Sequence, residues 1–392
     1  MAVSWLLASR FIRKRSSPLL TSSSRAALTA VSLGVAALVV VLALMSGYRE
    51  ALRGGILAAS GHLLLVPTPG TNAAFVAQQV NQDPDVAAIS RTWFLAGFLA
   101  KDPHLPGEVV TVKAVERWPP FVVPLPPHEG GGPLPVAVGE DLARQLGVRV
   151  GDGVFLQVAG ASTKLVYLSA QVMQVFSSGF SELRERWVFC SFAGLQRRAA
   201  GLGEPLVEVF LREPELAEAA AERLAQSLDH RVAVYGWSDM NRQLFAALRW
   251  QKLTLALVLS LIVGVGAFEV ASALVVLITE KRRELGVLLA MGASPRTLRF
   301  TVLLAGGLLG VAGVVAGLGL GLGVVGVCSA MEIPRFSPEL AAVYMVSRIP
   351  WRVEGLELVG VAVAATAEVL IASLLASRPL AARQPAEVLR WT

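Results

Sequence analysis

The fold is decided by the stretch from Leu253 to Ser294, which reads LTLALVLSLIVGVGAFEVASALVVLIT (253–279) and then EKRRELGVLLAMGAS (280–294). Its first part contains a single charged residue, Glu269. A helix of about 20 apolar residues, each rising ~1.5 Å, crosses the ~30 Å hydrocarbon core of a bilayer. The first part therefore predicts a membrane-spanning helix.

The second part predicts a short amphipathic helix at the membrane surface. Gly292 is typical of a helix end, and Ser294 followed by Pro295 is typical of a helix start. Apolar residues recur at near-helical spacing behind a basic cluster, with Leu285, Leu288, Leu289 and Met291 following Lys281, Arg282 and Arg283. From these residues alone two interpretations stay open, a basic loop that sets topology and a docking element for a partner.

The composition is that of a membrane protein. Hydrophobic residues make up 54% of the 392 residues, charged residues only 16%, and the mean hydropathy is +0.59. The formal net charge of +6 comes from basic residues beside apolar stretches, where topology and anionic lipid explain them, so nucleic acid is not an expected partner. The two cysteines form no CxxC or Cys/His pattern, so neither a disulfide framework nor a metal site is expected.

Four apolar spans are predicted, at 26–48, within 239–279, at 300–331 and at 358–377. Basic residues cluster in the cytoplasmic segment 1–25, the 280–299 loop and the tail 378–392, so the positive-inside rule places both termini and that loop in the cytoplasm. Residues 49–238 and the 332–357 loop then face outward. The expected fold is a polytopic α-helical membrane protein with four transmembrane helices and a large α+β domain between helices 1 and 2. Residues 3–12 predict an amphipathic surface helix, 16–24 a serine-rich linker, and no cleavable signal peptide is expected.

The outward domain predicts strands and helices in mixed order. The strands are expected at 62–66, 109–115, 154–158, 168–176, 207–212 and 232–235, and the helices at 140–146 and 215–228. The Pro/Gly-rich run 119–135 predicts a loop or a subdomain junction. From Ser238 no proline occurs before Thr279, so a stalk helix at 239–279 should continue into the second span as a rigid rod. The mechanical hypothesis is that this rod carries motion from the cytoplasmic side to the outer domain.

No pattern in the chain predicts catalysis. A phosphate-binding Gly-x-x-x-x-Gly-Lys-Ser/Thr loop is absent, the four histidines are scattered, and no nucleophile elbow occurs, so the chain is not expected to be an enzyme. Glu269 and Glu368 are the charges inside predicted spans. Each is expected to be protonated or hydrogen-bonded within the bundle, with a proton pathway as the weaker alternative. Four-residue glycine spacing in the third span predicts close helix packing at Gly306/Gly310, Gly313/Gly317 and Gly319/Gly323.

Three stretches resemble the FtsX-like, MacB-type permeases of type VII ABC transporters. The run AFEVASALVVLITEKRRELGVLLAMGASPRTL (267–298) is similar to their second transmembrane helix and coupling helix, 378–390 to their closing pattern, and 136–152 to their periplasmic domain. The resemblance makes the outward domain periplasmic. It also implies that a separate ATP-binding subunit sits on Glu280, Lys281, Arg282, Arg283, Glu284, Leu285, Leu288, Met291, Gly292, Ala293 and Ser294.

Within that group, LVVVLALMSGYRE (38–50) and QKL (251–253) leading into LSLIV (259–263) resemble the lipoprotein-releasing permeases of the LolC/LolE family. This resemblance implies an inner-membrane complex of two permeases and two ATP-binding subunits that passes triacylated lipoproteins to a periplasmic carrier. The second permease would be a paralogue or a second copy. ATP and Mg²⁺ would be used by the ATP-binding subunit, with no cofactor on this chain. An apolar cavity for the lipid chains would have as candidate lining Leu42, Met45, Tyr48, Leu257 and Leu261. Ordinary packing against lipid or within the bundle is the open alternative for each of them.

One departure from the family concerns the carrier. The carrier-capturing subunit has an extended hairpin, whereas 159–164 offers only a short turn, so this chain is expected to be the partner-type subunit. Two alternatives remain at the level of sequence. One is an efflux permease of the same architecture, and the other is a non-transporting regulator of a periplasmic cell-wall hydrolase.

Overall fold

The computed structural model describes residues 18–104, 106–126, 131–160, 165–199, 201–228, 231–337, 340–341, 344–346 and 348–378. The predicted surface helix at 3–12, the turn residues 161–164 and the tail from 379 lie outside these ranges. The chain divides into two compact units. We call residues 18–48, 247–333 and 350–378 the helical bundle, and residues 49–246 with 334–349 the inserted domain.

The bundle is built from four long helices and one short helix in the residues that the structure describes. They are α1 (Pro18–Ala59), α8 (Arg242–Glu280), α9 (Arg282–Ala290), α10 (Pro295–Ala330) and α11 (Gly355–Ala376). Among the described residues, α1, α8, α10 and α11 are long and apolar enough to cross a membrane. Helix α1 includes Ser22, Ser23 and Ser24 of the predicted linker, because no proline or glycine interrupts the chain between Pro18 and Ala30. Ser16 and Ser17 lie outside the described residues.

The predicted stalk is interrupted near its start. Helix α7 (Trp237–Met240) ends at Asn241, whose side chain donates to the carbonyl of Trp237 over 3.0 Å. The carbonyl of Asn241 accepts the first bond of the next helix from the N–H of Phe245 over 3.1 Å. The expectation of one unbroken helix from Ser238 is therefore wrong, and the continuous helix begins at Arg242.

Glycines of α10 allow close packing against two neighbours. A Cβ atom added at Gly310 would lie 2.2 Å from Val369 of α11, and one at Gly317 would lie 2.7 Å from the carbonyl oxygen of Ser32 in α1. Gly319 and Gly323 meet nothing within 4 Å in the described chain. Two of the three predicted glycine pairs therefore pack inside the same chain, and the third pair lies at open space.

In its described residues the inserted domain contains nine strands and several short helices. In chain order they are β1 (Leu63–Pro67), α2 (Ala73–Val80), β2 (Val86–Ala100), β3 (Glu108–Val115), β4 (Leu134–Gly139), α3 (Glu140–Leu146), β5 (Gly153–Ala159), β6 (Leu165–Phe176), α4 (Ser181–Arg186), β7 (Trp187–Ser191), α5 (Phe192–Gln196), β8 (Leu206–Leu211), α6 (Ala217–Ser227) and β9 (Val232–Gly236), with α7 closing the domain. All six predicted strands and both predicted helices coincide with observed elements, with shifted ends. The domain is accordingly α+β.

The long strand β2 organises the sheet. It pairs with β8 through its first half and with β3 and β5 through its second half. Because β2 contacts both β3 and β5, the strands β3-β7-β4-β6-β5-β2 close into a ring, and β8-β1-β9 extends the sheet beyond it. One apolar core fills the ring, and a second lies between the extension and helices α2 and α6.

Candidate coupling and transport site

The short helix α9 presents an exposed face and is held to the bundle at its start. Arg282, Arg283 and Val287 are exposed, and Met291 just beyond the helix is 79% exposed. Leu285 is buried, so it anchors the helix within this chain instead of offering a surface to another. The exposed face combines basic and apolar groups, which is the chemistry of a protein docking surface.

Local capping fixes both ends of this segment. The Nζ of Lys281 donates to the Glu284 carboxylate over 2.6 Å. Gly292 has φ +95, a left-handed conformation that side chains with a Cβ rarely adopt, and the N–H of Ala293 donates to the Leu288 carbonyl over 3.0 Å. The Ser294 hydroxyl then accepts from the N–H of Thr297 and caps α10. The predicted helix end at Gly292 and helix start at Ser294 are both confirmed.

A polar cluster joins three helices at the opposite end of the spans. The Nζ of Lys252 in α8 donates to the Ser46 hydroxyl of α1 over 2.9 Å and to the Glu357 carboxylate of α11. Both charged side chains are mostly buried. The cluster was not predicted from the sequence, although a lysine directly before a long apolar run was a signal that could have found it.

The chain entering α11 packs directly on α1 beside this cluster. The N–H of Arg352 donates to the Ala43 carbonyl over 3.3 Å. A Cβ atom at Gly47 would lie 1.6 Å from the carbonyl oxygen of Pro350, so only glycine allows this approach. Helices α1, α8 and α11 are therefore joined here by the Lys252–Glu357 ion pair, the Lys252–Ser46 hydrogen bond and the backbone bond from Arg352 to Ala43.

The five cavity candidates differ in exposure. Leu257 and Leu261 lie exposed on one face of α8, while Met45 and Tyr48 of α1 are half-buried. Leu42 is buried in the core of the bundle, so its side chain does not face open space. The structure thus brings Leu42 into helix packing and leaves the two α8 leucines exposed.

The two intramembrane carboxylates have opposite environments. Glu368 of α11 faces α8, where the Ser260 hydroxyl donates to its Oε1 over 2.5 Å, and its Oε2 is buried without a partner among the described residues. Glu269 is exposed and makes no hydrogen bond or ion pair within the described ranges. The predicted hydrogen bond inside the bundle is confirmed for Glu368. Glu269 makes no such bond in the described residues, because it lies on the outward side of its helix, and its predicted protonation stays a prediction.

The inserted domain contains a buried ion pair where α1 ends. The Nζ of Lys113 in β3 donates to Glu208 of β8 over 2.7 Å and to the terminal carbonyl of Ala59 over 2.5 Å. Glu208 also accepts from the N–H of Gly61, and both charged side chains are no more than 3% exposed. Burial lowers the pKa of Lys113, and Glu208 opposes that shift. The pair was not predicted from the sequence, because its members lie far apart in the chain.

A cavity of about 570 Å³ lies beside α3 and α4 of the inserted domain, with charged side chains in its wall. Asp141 accepts from the Nε of Arg184 over 2.8 Å and pairs with Arg144 at 3.2 Å. Asp141 is thus compensated by two arginines, and Arg144 also pairs with Glu140 at 3.1 Å. No group of three metal-ligating side chains occurs in the residues that the structure describes.

Two family models match the chain. The MacB-like periplasmic core domain matches residues 25–227, and the FtsX-like permease C-terminal domain matches residues 256–385. The chain therefore belongs to the FtsX-like, MacB-type permeases, and the inserted domain is their periplasmic domain.

Curated relatives are similar over nearly the whole chain. The lipoprotein-releasing system transmembrane protein LolC of Xylella fastidiosa is 26% identical and LolC of Neisseria meningitidis is 26% identical, each over 97% of both chains. LolE of Haemophilus influenzae is 22% identical over 96% of both. Among solved structures, the periplasmic region of MacB from Actinobacillus actinomycetemcomitans covers 50% of this chain and 97% of its own at 9% identity, with a TM-score of 0.33. The chain is thus a multi-pass permease of the type found in bacterial inner membranes.

Proposed function

We propose that this chain is a transmembrane permease subunit of an ABC transporter that extracts acylated lipoproteins from the inner membrane and passes them to a periplasmic carrier. The observation that carries the proposal is its similarity to LolC and LolE over 96–97% of both chains. Partners would be two ATP-binding subunits, which use ATP and Mg²⁺, and a second permease, either a paralogue or another copy. Both termini would be cytoplasmic, and four helices would span the membrane.

The transport step needs an apolar surface outside the lipid. Moving one CH₂ group from a bilayer into water costs ~0.8 kcal/mol of free energy, so three acyl chains can leave the membrane only into an apolar cavity. Leu257 and Leu261 are exposed on α8 on the side of the Lys252 cluster. These side chains supply an apolar surface on the periplasmic half of the span, where such a cavity would open.

The motion driven by ATP hydrolysis in the ATP-binding subunit would be transmitted to this chain through α9. Its exposed face carries Arg282, Arg283 and Val287, and the buried Leu285 holds it to the bundle. A contact on α9 would act on α8 directly, because only Lys281 separates the two helices. This arrangement supports mechanical coupling by a separate ATP-binding subunit.

A matched pair of variants tests the coupling site. Met291 and Met331 flank α10 at its two ends, with exposed fractions of 79% and 60%. Met291→Asp places a desolvated charge in the proposed contact and should abolish co-purification of the ATP-binding subunit, while Met331→Asp should retain it. Equal retention by both variants would refute the assignment of α9.

Mass spectrometry of the complex, extracted gently from its native membrane without nucleotide, tests the substrate class. We expect acylated lipoproteins, an ATP-binding subunit and a permease to co-purify with this chain. An adaptor of an outer-membrane channel would instead indicate efflux, and a cell-wall hydrolase without lipoprotein would indicate regulation.

A further inference from the structure

Helices form two of the connections between the bundle and the inserted domain, and they differ in continuity. Helix α1 runs without a break from Pro18 to Ala59, and its last part, residues 49–59, belongs to the inserted domain. The other connection is interrupted at Asn241, whose backbone has φ −113 and ψ 20 between α7 and α8. The ladder of i→i−4 hydrogen bonds that stiffens a helix is broken there. The chain therefore bends more easily at Asn241 than along α1.

The end of α1 is held by a buried ion pair. The Nζ of Lys113 in β3 donates to the carbonyl of Ala59 and to the Glu208 carboxylate of β8. Glu208 also accepts from the N–H of Gly61, two residues beyond the helix, over 3.1 Å. The Nζ of Lys113 lies 4.7 Å from the centre of the Phe94 ring in β2. We call Lys113 and Glu208, with their contacts to Ala59 and Gly61, the α1 clamp.

The α1 clamp joins the helix to both parts of the sheet. Lys113 belongs to the closed ring of strands and Glu208 to the extension, and strand β2 pairs with the strands of both residues. Because the two charged side chains are no more than 3% exposed, their hydrogen bonds form in a low-dielectric interior and are stronger than in water. A displacement of the end of α1 would therefore act on the ring and on the extension together.

Further contacts hold the last turns of α1 within the inserted domain. Arg53 pairs with Glu215 at 2.9 Å, and its guanidinium group lies 5.2 Å from the centre of the Trp237 ring. A Cβ atom at Gly55 would lie 2.8 Å from the side chain of Phe180. The end of α1 is thus fixed to the domain by side chains of several different elements.

Within the bundle, α1 packs closely on α8. A Cβ atom at Gly34 would lie 3.2 Å from Val263, and one at Gly266 would lie 2.9 Å from the backbone nitrogen of Val31. Small residues at such positions let two spanning helices approach closely. A displacement of α8 that starts at α9 would therefore reach α1 by direct contact.

We infer, on the basis of the proposed function, that α1 and not α8 transmits motion of the bundle to the periplasmic domain. Lys113 and Glu208 are the positioning residues at the point of transmission. The junction at Asn241 is a hinge that lets the domain follow α1. The motion predicted for a continuous rod at 239–279 thus passes through α1 instead.

Paired glycine insertions test which connection must stay continuous. Two glycines are inserted after Tyr48, where α1 passes from the bundle to the inserted domain, or after Asn241, where the helix is already broken. Neither insertion removes a residue of the α1 clamp.

The readout is the distance between two nitroxide labels in the assembled complex, measured by double electron–electron resonance with and without ATP and vanadate. The labels are attached at Tyr167→Cys and Met331→Cys, whose native side chains are 74% and 60% exposed. Cys328 is replaced by serine, and Cys190 is buried and escapes labelling.

We expect ATP and vanadate to shift the distance in the parent chain and in the insertion after Asn241, and we expect no shift in the insertion after Tyr48. A shift that survives the Tyr48 insertion, a shift lost in the Asn241 insertion, or no shift in the parent chain would overturn the inference. Lipoprotein release is measured separately. A nucleotide-dependent shift without release would contradict the proposed function and leave the role of α1 intact.

The α1 clamp itself is tested by the double variant Lys113→Met with Glu208→Leu, which removes the contacts to Ala59 and Gly61. We expect the nucleotide-dependent shift to be lost while ATP hydrolysis by the complex is retained. Leu156→Ala is the control, because it truncates a buried side chain of the same domain and lowers its stability without touching the clamp. A shift retained in the double variant, or lost equally in Leu156→Ala, would contradict a positioning role for the clamp.

Discussion

Replacement of Lys113 by methionine should strongly destabilise the periplasmic domain. Methionine has a similar shape but no charge, so the Glu208 carboxylate stays buried with the Gly61 N–H as its remaining protein donor, and the Ala59 carbonyl loses its donor. Removal of one member of a buried ion pair costs about 3–5 kcal/mol. For a domain of this size that corresponds to a fall in the unfolding midpoint of roughly 6–20 °C.

A double variant separates the charge from the packing. When Lys113→Met is combined with Glu208→Leu, no buried charge remains, and the residual cost is that of the Ala59 carbonyl and the Gly61 N–H, about 1–3 kcal/mol each. The double variant should therefore be more stable than the sum of the two single losses predicts.

The assay is thermal unfolding of the full chain in detergent, followed by tryptophan fluorescence, since Trp93 and Trp187 belong to this domain. The four proteins of the cycle are compared at one pH. If the two single losses add within about 0.5 kcal/mol to give the double loss, the two side chains are not coupled and the account of this pair is refuted.

Three further predictions concern the bundle and the pH response. Gly317→Ala should destabilise the bundle, because its Cβ would lie 2.7 Å from a backbone oxygen of α1, while Gly319→Ala, which meets open space, should not; thermal unfolding in detergent measures both. Ser260→Ala should destabilise the packing of α8 on α11 by about 0.6 kcal/mol, because Glu368 then loses its donor in the described chain. The periplasmic domain should lose stability as pH falls below 6.5, because burial lowers the pKa of His62 in the folded state. Below the pKa of 6.5 that His62 has in the unfolded chain, the unfolded state binds a proton that the folded state does not, and unfolding is favoured.

Controls for these predictions are available in the chain. For the pH response, His62→Gln should reduce the slope of stability against pH, because it removes the group whose pKa burial lowers. A steeper fall in stability after His62→Gln would contradict a lowered pKa for His62 in the folded state. For the glycines, equal melting of both alanine variants would show that α10 and α1 do not pack as described.

The sequence predicted the elements whose signals are local. Glycine at 292 and the Ser294-Pro295 pair marked the break between α9 and α10 through backbone chemistry alone. Strands with flanking turn residues, such as β5 and β9, were found for the same reason. Strand β2 was missed because it pairs with three partners and is apolar on both faces around Trp93–Leu95, so its sequence shows no clean alternation there.

The candidate site was predictable only in part. The exposed segment at α9 followed from charge and spacing along the chain. The orientation of Glu269 and Glu368 could not be predicted, because both lie in helices that are apolar all round. In such helices the sequence does not distinguish the inward face from the outward face. The pairing of Lys113 with Glu208 depends on adjacency of distant strands, and the burial of Leu42 depends on how α1 packs on its neighbours.

The most direct test of the proposed function is release of a triacylated lipoprotein from proteoliposomes that contain this permease, its second permease and the ATP-binding subunit. The released protein is measured in the soluble fraction with a periplasmic carrier present. We predict release that requires ATP and Mg²⁺ and is lost in Met291→Asp but kept in Met331→Asp. ATP hydrolysis by the assembled complex with the lipoprotein still in the membrane would contradict lipoprotein release as the function of this chain.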